Sequence, residues 1–195
     1  MVTSSLTLTR WYHRGMTPRT TIMAGIPASN MSLYHAIRFM VGDPCVVVDQ
    51  PGKGRTLIIR DIEMDRARKH ARADRVLCPA DCAPTGGLSG DRETATAQSA
   101  VEFLRREGIT RVVGDRTLPL IFADMLQRGG IDVECDADMG VRERRAKDER
   151  EIASMRDAQR VTESIMRRAC ETIARATPDE NGVLTHDGEW LESER

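Results

Sequence analysis

The chain has 195 residues, of which 40% are hydrophobic and 30% charged, and its formal net charge is −1. These values are typical of a globular chain with one domain or one and a half. The balanced charge argues against a surface for nucleic acid or anionic membranes, and an aromatic content of 4% argues against base stacking. No apolar run reaches the length of a membrane span.

The cysteines and the N-terminus together predict a cytoplasmic location. Five cysteines at irregular spacing fit a reduced chain better than a disulfide framework. Residues 1–19 are polar and lack the apolar stretch of a secretory signal. We expect them to form a flexible tail, with Met16 as an alternative start.

The first half of the chain predicts alternating strands and helices. A strand over 20–26 precedes a short helix or irregular turn over 28–39, for which Ser29 and Asn30 are the cap candidates. The elements that follow are a β-hairpin of 45–49 with 55–60, a helix over 62–71 and a strand over 75–78.

The alternation continues beyond a loop at 80–90 that is rich in Pro, Gly and Asp. A helix over 91–107 has an apolar stripe of Ala97, Ala100, Val101 and Leu104. The remaining predicted elements are a strand over 110–114, a helix over 118–128 and a strand over 131–135. This order predicts an α/β fold, in which helices flank a mixed β-sheet.

A long amphipathic helix is predicted over 147–176, after a change in sequence character near Arg142. One face carries apolar residues at three-to-four spacing and is expected to be buried: Ile152, Met155, Ala158, Val161, Ile165, Ala169 and Ile173. A helix of this length would overhang a small domain and needs a second body to pack on. Residues 177–195 are polar and predict turns.

Several motifs are better explained by structure than by chemistry. Gly52-Lys53-Gly54-Arg55-Thr56 lacks the Walker spacing and is predicted to be a hairpin turn. Cys78 and Cys82 could supply two thiolates, but a structural zinc site needs four ligands and the second pair is missing. Both are therefore predicted to be ordinary packed or exposed cysteines. A possible calcium loop at 177–188 has no carboxylate at its first or twelfth position. The basic residues from Arg142 to Lys147 are interpreted as a strip of surface or interdomain salt bridges.

The four histidines are scattered, and neither a nucleophile–histidine pair nor a carboxylate dyad is recognisable. The sequence therefore predicts no catalytic residue and no metal ligand in this chain.

Four short stretches, taken with the order of the elements, resemble the creatinase/prolidase-type N-terminal domain of the Xaa-Pro peptidase (aminopeptidase P-like) family. The stretches are Ala24-Gly25-Ile26-Pro27-Ala28-Ser29-Asn30; Gly42-Asp43-Pro44; Arg60-Asp61-Ile62-Glu63 followed by Arg66-Ala67; and Arg145 to Ala158. The last is similar to the opening of the family's catalytic domain. The resemblance spans 20–176 and implies three segments: a tail at 1–19, the N-terminal domain at 20–141, and a linker with the first helix of an incomplete catalytic domain at 142–195.

The resemblance implies a ribonuclease-H-like layout for the N-terminal domain and a "pita-bread" catalytic domain. The parent's catalytic domain uses two Asp, one His and two Glu to hold two divalent ions, commonly manganese, cobalt or zinc, which activate water to cleave the bond before proline. All five ligands would follow Arg195, so this chain would have no cofactor of its own.

In such enzymes the N-terminal domain supports oligomerisation and contributes to the rim of the neighbouring active site, where the peptide substrate binds. The partners implied are further copies of the chain or the missing catalytic domain. The rim candidates lie in the loop after the first strand: Asn30, Tyr34, His35 and Arg38. A capped helix with an exposed polar face explains these residues equally well.

Three hypotheses stay open. If the chain is the truncated N-terminal part of a peptidase, the apolar stripe over 152–173 should be exposed. If it is a stand-alone module, it should bind a partner or assemble with itself through the long helix. An α/β enzyme of another class would need a cluster of titratable groups near 80–90, for which the candidates are Asp81, Cys82, Asp91 and Asp115.

Overall fold

A computed structural model describes residues 19–186 and 189–191. The predicted N-terminal tail lies outside the described residues, except for Arg19. The described chain forms two compact units, of which the first ends at Arg145 and the second begins at Ala146.

The first unit is built on one mixed sheet of six strands. In chain order the strands are β1 (Thr21–Gly25), β2 (Cys45–Gln50), β3 (Gly54–Ile58), β4 (Arg75–Leu77), β5 (Arg111–Asp115) and β6 (Asp132–Asp136). Their order across the sheet is β4-β3-β2-β1-β5-β6. The β1-β2 and β2-β3 pairs are antiparallel, and the other three are parallel. The predicted fold class was an α/β fold with a mixed β-sheet and flanking helices, and this prediction is confirmed.

The described part of this unit, residues 19–145, contains five α-helices: α1 (Met31–Ile37), α2 (Met64–His70), α3 (Arg92–Arg106), α4 (Leu120–Arg128) and α5 (Val141–Arg145). Short 3₁₀ turns precede α2 at Asp61–Glu63 and follow β4 at Pro79–Cys82. The sequence predicted the first four helices to within a few residues, but it gave no sign of α5, whose five residues are too few for a periodic signal.

Successive side chains of each strand point to opposite faces of the sheet, and the apolar ones form two cores, one on each face. Ile22 and Ala24 point into one core, whereas Met23 between them lies in the other, as the two-residue period of a strand requires. Helices α3 and α4 cover the first core, and α1 and α2 cover the second. The three-layer arrangement therefore follows from strands that are apolar on both faces.

The buried stripe of α3 is rotated from its predicted position. Ala97, Ala100 and Leu104 are buried as predicted, but Val101 is only half-buried. Phe103 takes the expected place of Val101 in the core. The larger aromatic side chain removes more apolar area from water, and this sets the rotation of the helix.

The Gly52-Lys53-Gly54 stretch forms the β2-β3 hairpin turn, as predicted. Gly52 and Gly54 have φ angles of +79° and +88°, which L residues with side chains rarely adopt. A Cβ atom on Gly54 would lie 2.4 Å from Asp74 Oδ2, which binds the Arg55 amide at 2.7 Å. Gly54 is therefore required by the hairpin turn, and this stretch is a turn and not a phosphate-binding loop.

The second unit contains the long helix α6 (Glu149–Arg175) and a small sheet. Asp148 and Glu151 form a capping box: Asp148 Oδ1 accepts from the Glu151 amide at 2.8 Å, and Glu151 Oε2 from the Asp148 amide at 3.0 Å. The sheet has three short antiparallel strands, β7 (Thr177–Pro178), β8 (Leu184–His186) and β9 (Glu189–Trp190). The sequence predicted only turns here, because strands of two or three residues show no alternation.

The apolar face of α6 is exposed, so its predicted burial is wrong within this chain. None of the residues of α6 is buried, and its large apolar side chains remain between 36% and 63% exposed: Ile152, Met155, Val161, Ile165, Met166 and Ile173. An exposed stripe is also what the truncation hypothesis predicted, and the truncation itself stays a prediction. None of the helices in the described ranges is both long and apolar enough to cross a bilayer.

Candidate functional site

A cleft of about 460 Å³ lies at the carboxyl ends of β1 and β5. These strands are parallel neighbours, but the chain leaves β1 toward α1 on one face of the sheet and leaves β5 toward α4 on the other. The loops therefore separate and open a crevice between them. Ligands of open α/β sheets bind in such crevices, at the point where the winding reverses.

The cleft is lined from four directions. The β1-α1 connection supplies most of the wall, and α3, the β5-α4 connection and α5 supply the rest: Gly25, Ile26, Ser29, Asn30, Met31, Ser32, Glu93, Thr117, Pro119 and Arg144. Hydroxyl and amide groups outnumber charged groups in this lining. Such a surface can donate and accept hydrogen bonds, and Ile26, Met31 and Pro119 add apolar contact area.

Asn30 joins the two loops that form the cleft. Its Oδ1 atom accepts from the amides of Ser32 and Leu33, at 3.1 Å each, and so caps α1. Its Nδ2 atom donates to Thr117 Oγ1 at 2.8 Å, across 87 residues of sequence. Both the Oδ1 and the Nδ2 atoms of Asn30 therefore make hydrogen bonds, and together these bonds fix the β1-α1 loop against the β5-α4 loop.

Asp115 lies beneath this bridge at the end of β5. Its Oδ2 atom accepts from the Thr117 amide at 3.2 Å and from the Thr117 hydroxyl, which aligns that hydroxyl to accept from Asn30. The residue is only 2% exposed, and its Oδ1 atom is buried without a hydrogen-bond partner in the described structure. A buried orphan carboxylate oxygen is costly, so this position marks a polar centre below the cleft.

The two charged residues of the cleft have opposite signs. Glu93 lies in the first turn of α3, where its negative charge interacts favourably with the helix dipole. The guanidinium of Arg144 is held by α5, where its Nε atom donates to the Gly140 carbonyl at 2.9 Å. Gly140, at φ +74°, packs so closely on α1 that an added Cβ would lie 2.8 Å from Ser32 Cβ.

Of the four rim candidates, Asn30 lines the cleft, and Tyr34, His35 and Arg38 do not. Tyr34 and His35 are half-buried in the last part of α1. Arg38 ends that helix in the left-handed region at φ 50°, and its amide donates to the Tyr34 carbonyl. Their role at the rim of an active site stays a prediction.

Sequence reasoning missed Thr117, Glu93 and Arg144 as cleft residues. The only local signal was the polar Asp115-Arg116-Thr117 stretch that follows a buried strand, because side chains after parallel strands gather at one sheet edge. The positions of Glu93 and Arg144 depend on packing between distant segments, which no short motif encodes.

The candidates for a different α/β enzyme have structural roles. Asp81 accepts from the Cys78 amide at 2.8 Å, and Asp91 caps α3 through the Thr94 amide at 2.8 Å. The bond from the Cys78 amide lowers the pKa of Asp81, and the bonds from the Thr94 hydroxyl and amide lower the pKa of Asp91. Burial raises the pKa of the Cys82 thiol, which makes it a weaker nucleophile at neutral pH.

The described residues do not fit the paired metal site that the family resemblance implies for its parent enzymes. Within residues 19–186 and 189–191, no three His, Cys, Asp or Glu side chains are grouped to hold a metal ion. No metal-dependent step can therefore be derived from the side chains of this part of the chain.

The other motifs behind the family resemblance hold the fold together. Asp43 of Gly42-Asp43-Pro44 accepts from Arg60 at 3.0 Å and from Arg92 at 2.9 Å, which ties the ends of β3 and α3 to one loop. Arg66 lies 4.2 Å above the Phe39 ring and donates to the Met40 carbonyl at 3.1 Å. These contacts explain the motifs without assigning them chemistry.

No protein-family model matches the chain, and no curated protein matches it in sequence. Solved structures do match. An Xaa-Pro dipeptidase from Bacillus anthracis has 13% identity and a TM-score of 0.60, over 84% of this chain and 41% of that one. A prolidase from Pyrococcus furiosus has 12% identity and a TM-score of 0.55, over 84% and 42%. At these identities the likeness shows the fold: the chain is folded like part of these two structures, over less than half of the length of each.

Proposed function

We propose that this chain is the N-terminal, non-catalytic domain of an Xaa-Pro peptidase-like metallohydrolase, with residues 20–141 as the domain and 142–195 as a linker and the start of the catalytic domain. The observation that carries the proposal is the fold likeness to the Bacillus anthracis dipeptidase, which spans 84% of this chain but 41% of that structure. The parent enzyme would cleave the peptide bond before proline with two divalent ions.

The non-catalytic role rests on the chemistry of the described side chains. They include no group of three or more His, Cys, Asp or Glu that could hold a metal ion, and the carboxylates of Asp115 and Asp91 accept hydrogen bonds from Thr117 and Thr94. In the proposed arrangement the metal ligands come from the catalytic domain. The N-terminal domain, residues 20–141, supports oligomerisation and contributes to the rim of a neighbouring active site. Five free cysteines support a cytoplasmic location.

The proposed rim residues are Asn30, Tyr34, His35 and Arg38. The position of Asn30 supports this role, because it lines a cleft at a reversal point of the sheet and is fixed from both loops. A rim must hold its shape when peptide binds, and the Asn30–Thr117 bridge provides that rigidity.

The test is an assay of the purified 195-residue chain against Xaa-Pro dipeptides and longer peptides, with manganese, cobalt and zinc added separately. We expect no hydrolysis above the blank with any of the ions. Hydrolysis that a chelator abolishes would show that the chain is itself a metallopeptidase and would overturn the non-catalytic role.

A second candidate function is a stand-alone α/β module that binds a partner or assembles with itself, without catalysis. The exposed apolar face of α6 favours this alternative. Coding sequence for a catalytic domain directly after Arg195 would decide against it.

A further inference from the structure

Glu93 presents to the cleft a carboxylate that no described residue binds. The residue is half-buried in the first turn of α3 and belongs to the cleft lining. Within residues 19–186 and 189–191 its side chain makes no hydrogen bond and no ion pair, whereas the Asp91 carboxylate accepts from the Thr94 amide at 2.8 Å. A half-buried carboxylate without a protein partner favours a cationic group from a ligand.

Arg144 brings the opposite charge to the cleft from the other face of the sheet. Glu93 belongs to α3, which covers the first core, whereas α5 packs on α1 over the second core. The bond from Arg144 Nε to the Gly140 carbonyl and the close contact of Gly140 with Ser32 position the guanidinium. A ligand that meets both charges must therefore carry its own two charges several bonds apart.

The β1-α1 connection adds neutral hydrogen-bonding groups to the lining. Asn30 Nδ2 carries two hydrogens, and the bond to Thr117 uses one of them, which leaves an N–H for a ligand carbonyl. Ser29 Oγ donates to the Ile26 carbonyl at 3.2 Å, so its oxygen lone pairs can accept from a ligand N–H. One donor and one acceptor match the carbonyl and the amide of a peptide bond.

The space between the two loops is open because Gly25 has no side chain. An added Cβ on Gly25 would lie in this space, 3.7 Å from Asn30 Nδ2 and 3.8 Å from Pro119 Cγ. Ile26, Met31 and Pro119 give the space apolar contact area. An aliphatic side chain of a ligand would be removed from water there, which favours binding.

We propose that this cleft binds a short peptide with free termini and an aliphatic side chain, with its ammonium group at Glu93 and its carboxylate at Arg144. A volume of about 460 Å³ lies within the range of small-molecule sites. An extended peptide of about two or three residues places its termini roughly 7–10 Å apart, which suits charges on opposite walls. The inference does not rest on the proposed peptidase relationship, since neither Glu93 nor Arg144 is a rim candidate and neither metal nor proline takes part.

The test is a titration of the purified 195-residue chain with the tripeptide Ala-Leu-Ala, followed through the backbone amide NMR signals of the protein. Ala-Leu-Ala contains no proline, so the result is separate from the hydrolysis assay of the peptidase relationship. We expect saturable binding with a Kd of about 0.1–1 mM, and the largest shifts at the amides that surround the cleft. Absence of saturable binding up to about 20 mM, or shifts confined to other surfaces, would overturn the proposal.

Capped peptides test the two charged contacts without altering the protein. N-acetyl-Ala-Leu-Ala lacks the ammonium group, and the C-terminal amide of Ala-Leu-Ala lacks the carboxylate. Each should bind the unaltered chain about 10-fold more weakly than the free peptide, because one ion pair is lost. A capped peptide that binds as tightly as Ala-Leu-Ala would contradict the proposed orientation and overturn the proposal.

Two variants connect each terminus of the peptide to its residue. Glu93→Gln should weaken the binding of Ala-Leu-Ala about 10-fold and leave that of the N-acetyl peptide unchanged, and Arg144→Gln should do the same with the C-terminal amide. The matched controls, Glu102→Gln on α3 and Arg145→Gln on α5, remove the same charges outside the cleft lining. The amide spectrum of each variant shows whether it is folded. Losses no larger than those of the controls would overturn the proposal.

Discussion

At the scale of single residues, the polar side chains of this protein mostly join distant segments of the fold. Asn30 bridges two loops, and Asp43 binds arginines from two elements. Glu107 collects three donors at the end of α3: Lys53 at 2.7 Å, Arg75 at 3.2 Å and Gln50 at 3.3 Å. Such junctions determine how stability depends on individual substitutions and on pH.

The Glu107 junction should make the protein sensitive to acid. The hydrogen bond from Lys53, with those from Gln50 and Arg75, lowers the pKa of Glu107 to about 2 from the ordinary 4.5. Because the folded-state pKa is depressed, this stabilisation is present above pH 4.5 and is lost as the pH falls toward 2. Glu107→Gln should cost about 1–2 kcal/mol at pH 7, discounted for the partial exposure of its partners. Urea unfolding at pH 7 and pH 3 measures both effects.

Glu102→Gln is the matched control on the same helix. Glu102 pairs with Arg106 on the exposed side of the helix, at i,i+4 spacing and 2.8 Å, so its loss should cost less than about 0.5 kcal/mol. If Glu107→Gln kept the full loss of stability between pH 5 and pH 2, Glu107 would not be the acid-sensitive group.

The two functions of Asn30 can be separated by substitution. Asn30→Ala removes the helix cap and the donor to Thr117, and should lower the free energy of unfolding by about 1–3 kcal/mol. Asn30→Asp keeps the cap but replaces the donor with an acceptor, so its loss should be intermediate. Ser29→Ala removes one exposed bond to the Ile26 carbonyl and should change little. Equal losses for Asn30→Asp and Ser29→Ala would show that the bridge to Thr117 contributes nothing.

At the scale of elements, local signals and non-local packing account for different parts of the fold. The β2-β3 hairpin and the cap of α1 follow from Gly52, Gly54 and Asn30, whose effects act within a few residues. The cleft follows from β5 lying beside β1, a pairing of segments about 90 residues apart. Asn30 was therefore predictable as a candidate, whereas Thr117, Glu93 and Arg144 became visible only in the folded chain.

The packing of α5 on α1 depends on the absence of a side chain at Gly140. Gly140 and Gly130 have similar φ angles, +74° and +79°, but only Gly140 has a neighbour, Ser32, within contact distance of an added Cβ. Gly130→Ala should cost about 1 kcal/mol for the backbone conformation alone. Gly140→Ala should cost about 1–3 kcal/mol more, because its Cβ would overlap Ser32. Chemical denaturation of the two variants gives the difference, and equal costs would show that α5 does not need this close approach.

At the scale of the whole molecule, the two units differ in how many apolar side chains they bury. The buried apolar residues on both faces of the sheet all lie between Ile22 and Ile131, whereas α6 contributes none. The first unit is thus a domain with a core on each face of its sheet, and the second is an element that needs cover. The change of sequence character near Arg142 lies close to the boundary between the two units at Arg145, and no local pattern in the sequence identifies the surface that covers the helix.

Removal of the second unit should leave the first unit folded. A chain that ends at Arg145 keeps all of the buried apolar residues, so we expect a single cooperative thermal transition within a few degrees of the full chain. Differential scanning calorimetry measures this directly. A truncated chain without a cooperative transition would show that residues after Arg145 complete the core.

The most direct test of the proposed peptidase relationship is the DNA sequence that follows the codon of Arg195, translated in all three frames. We expect an in-phase or frameshifted stretch that encodes a pita-bread domain with two Asp, one His and two Glu as metal ligands. A stop codon followed by unrelated sequence would contradict it, and the chain would then be a stand-alone module that functions through its partners.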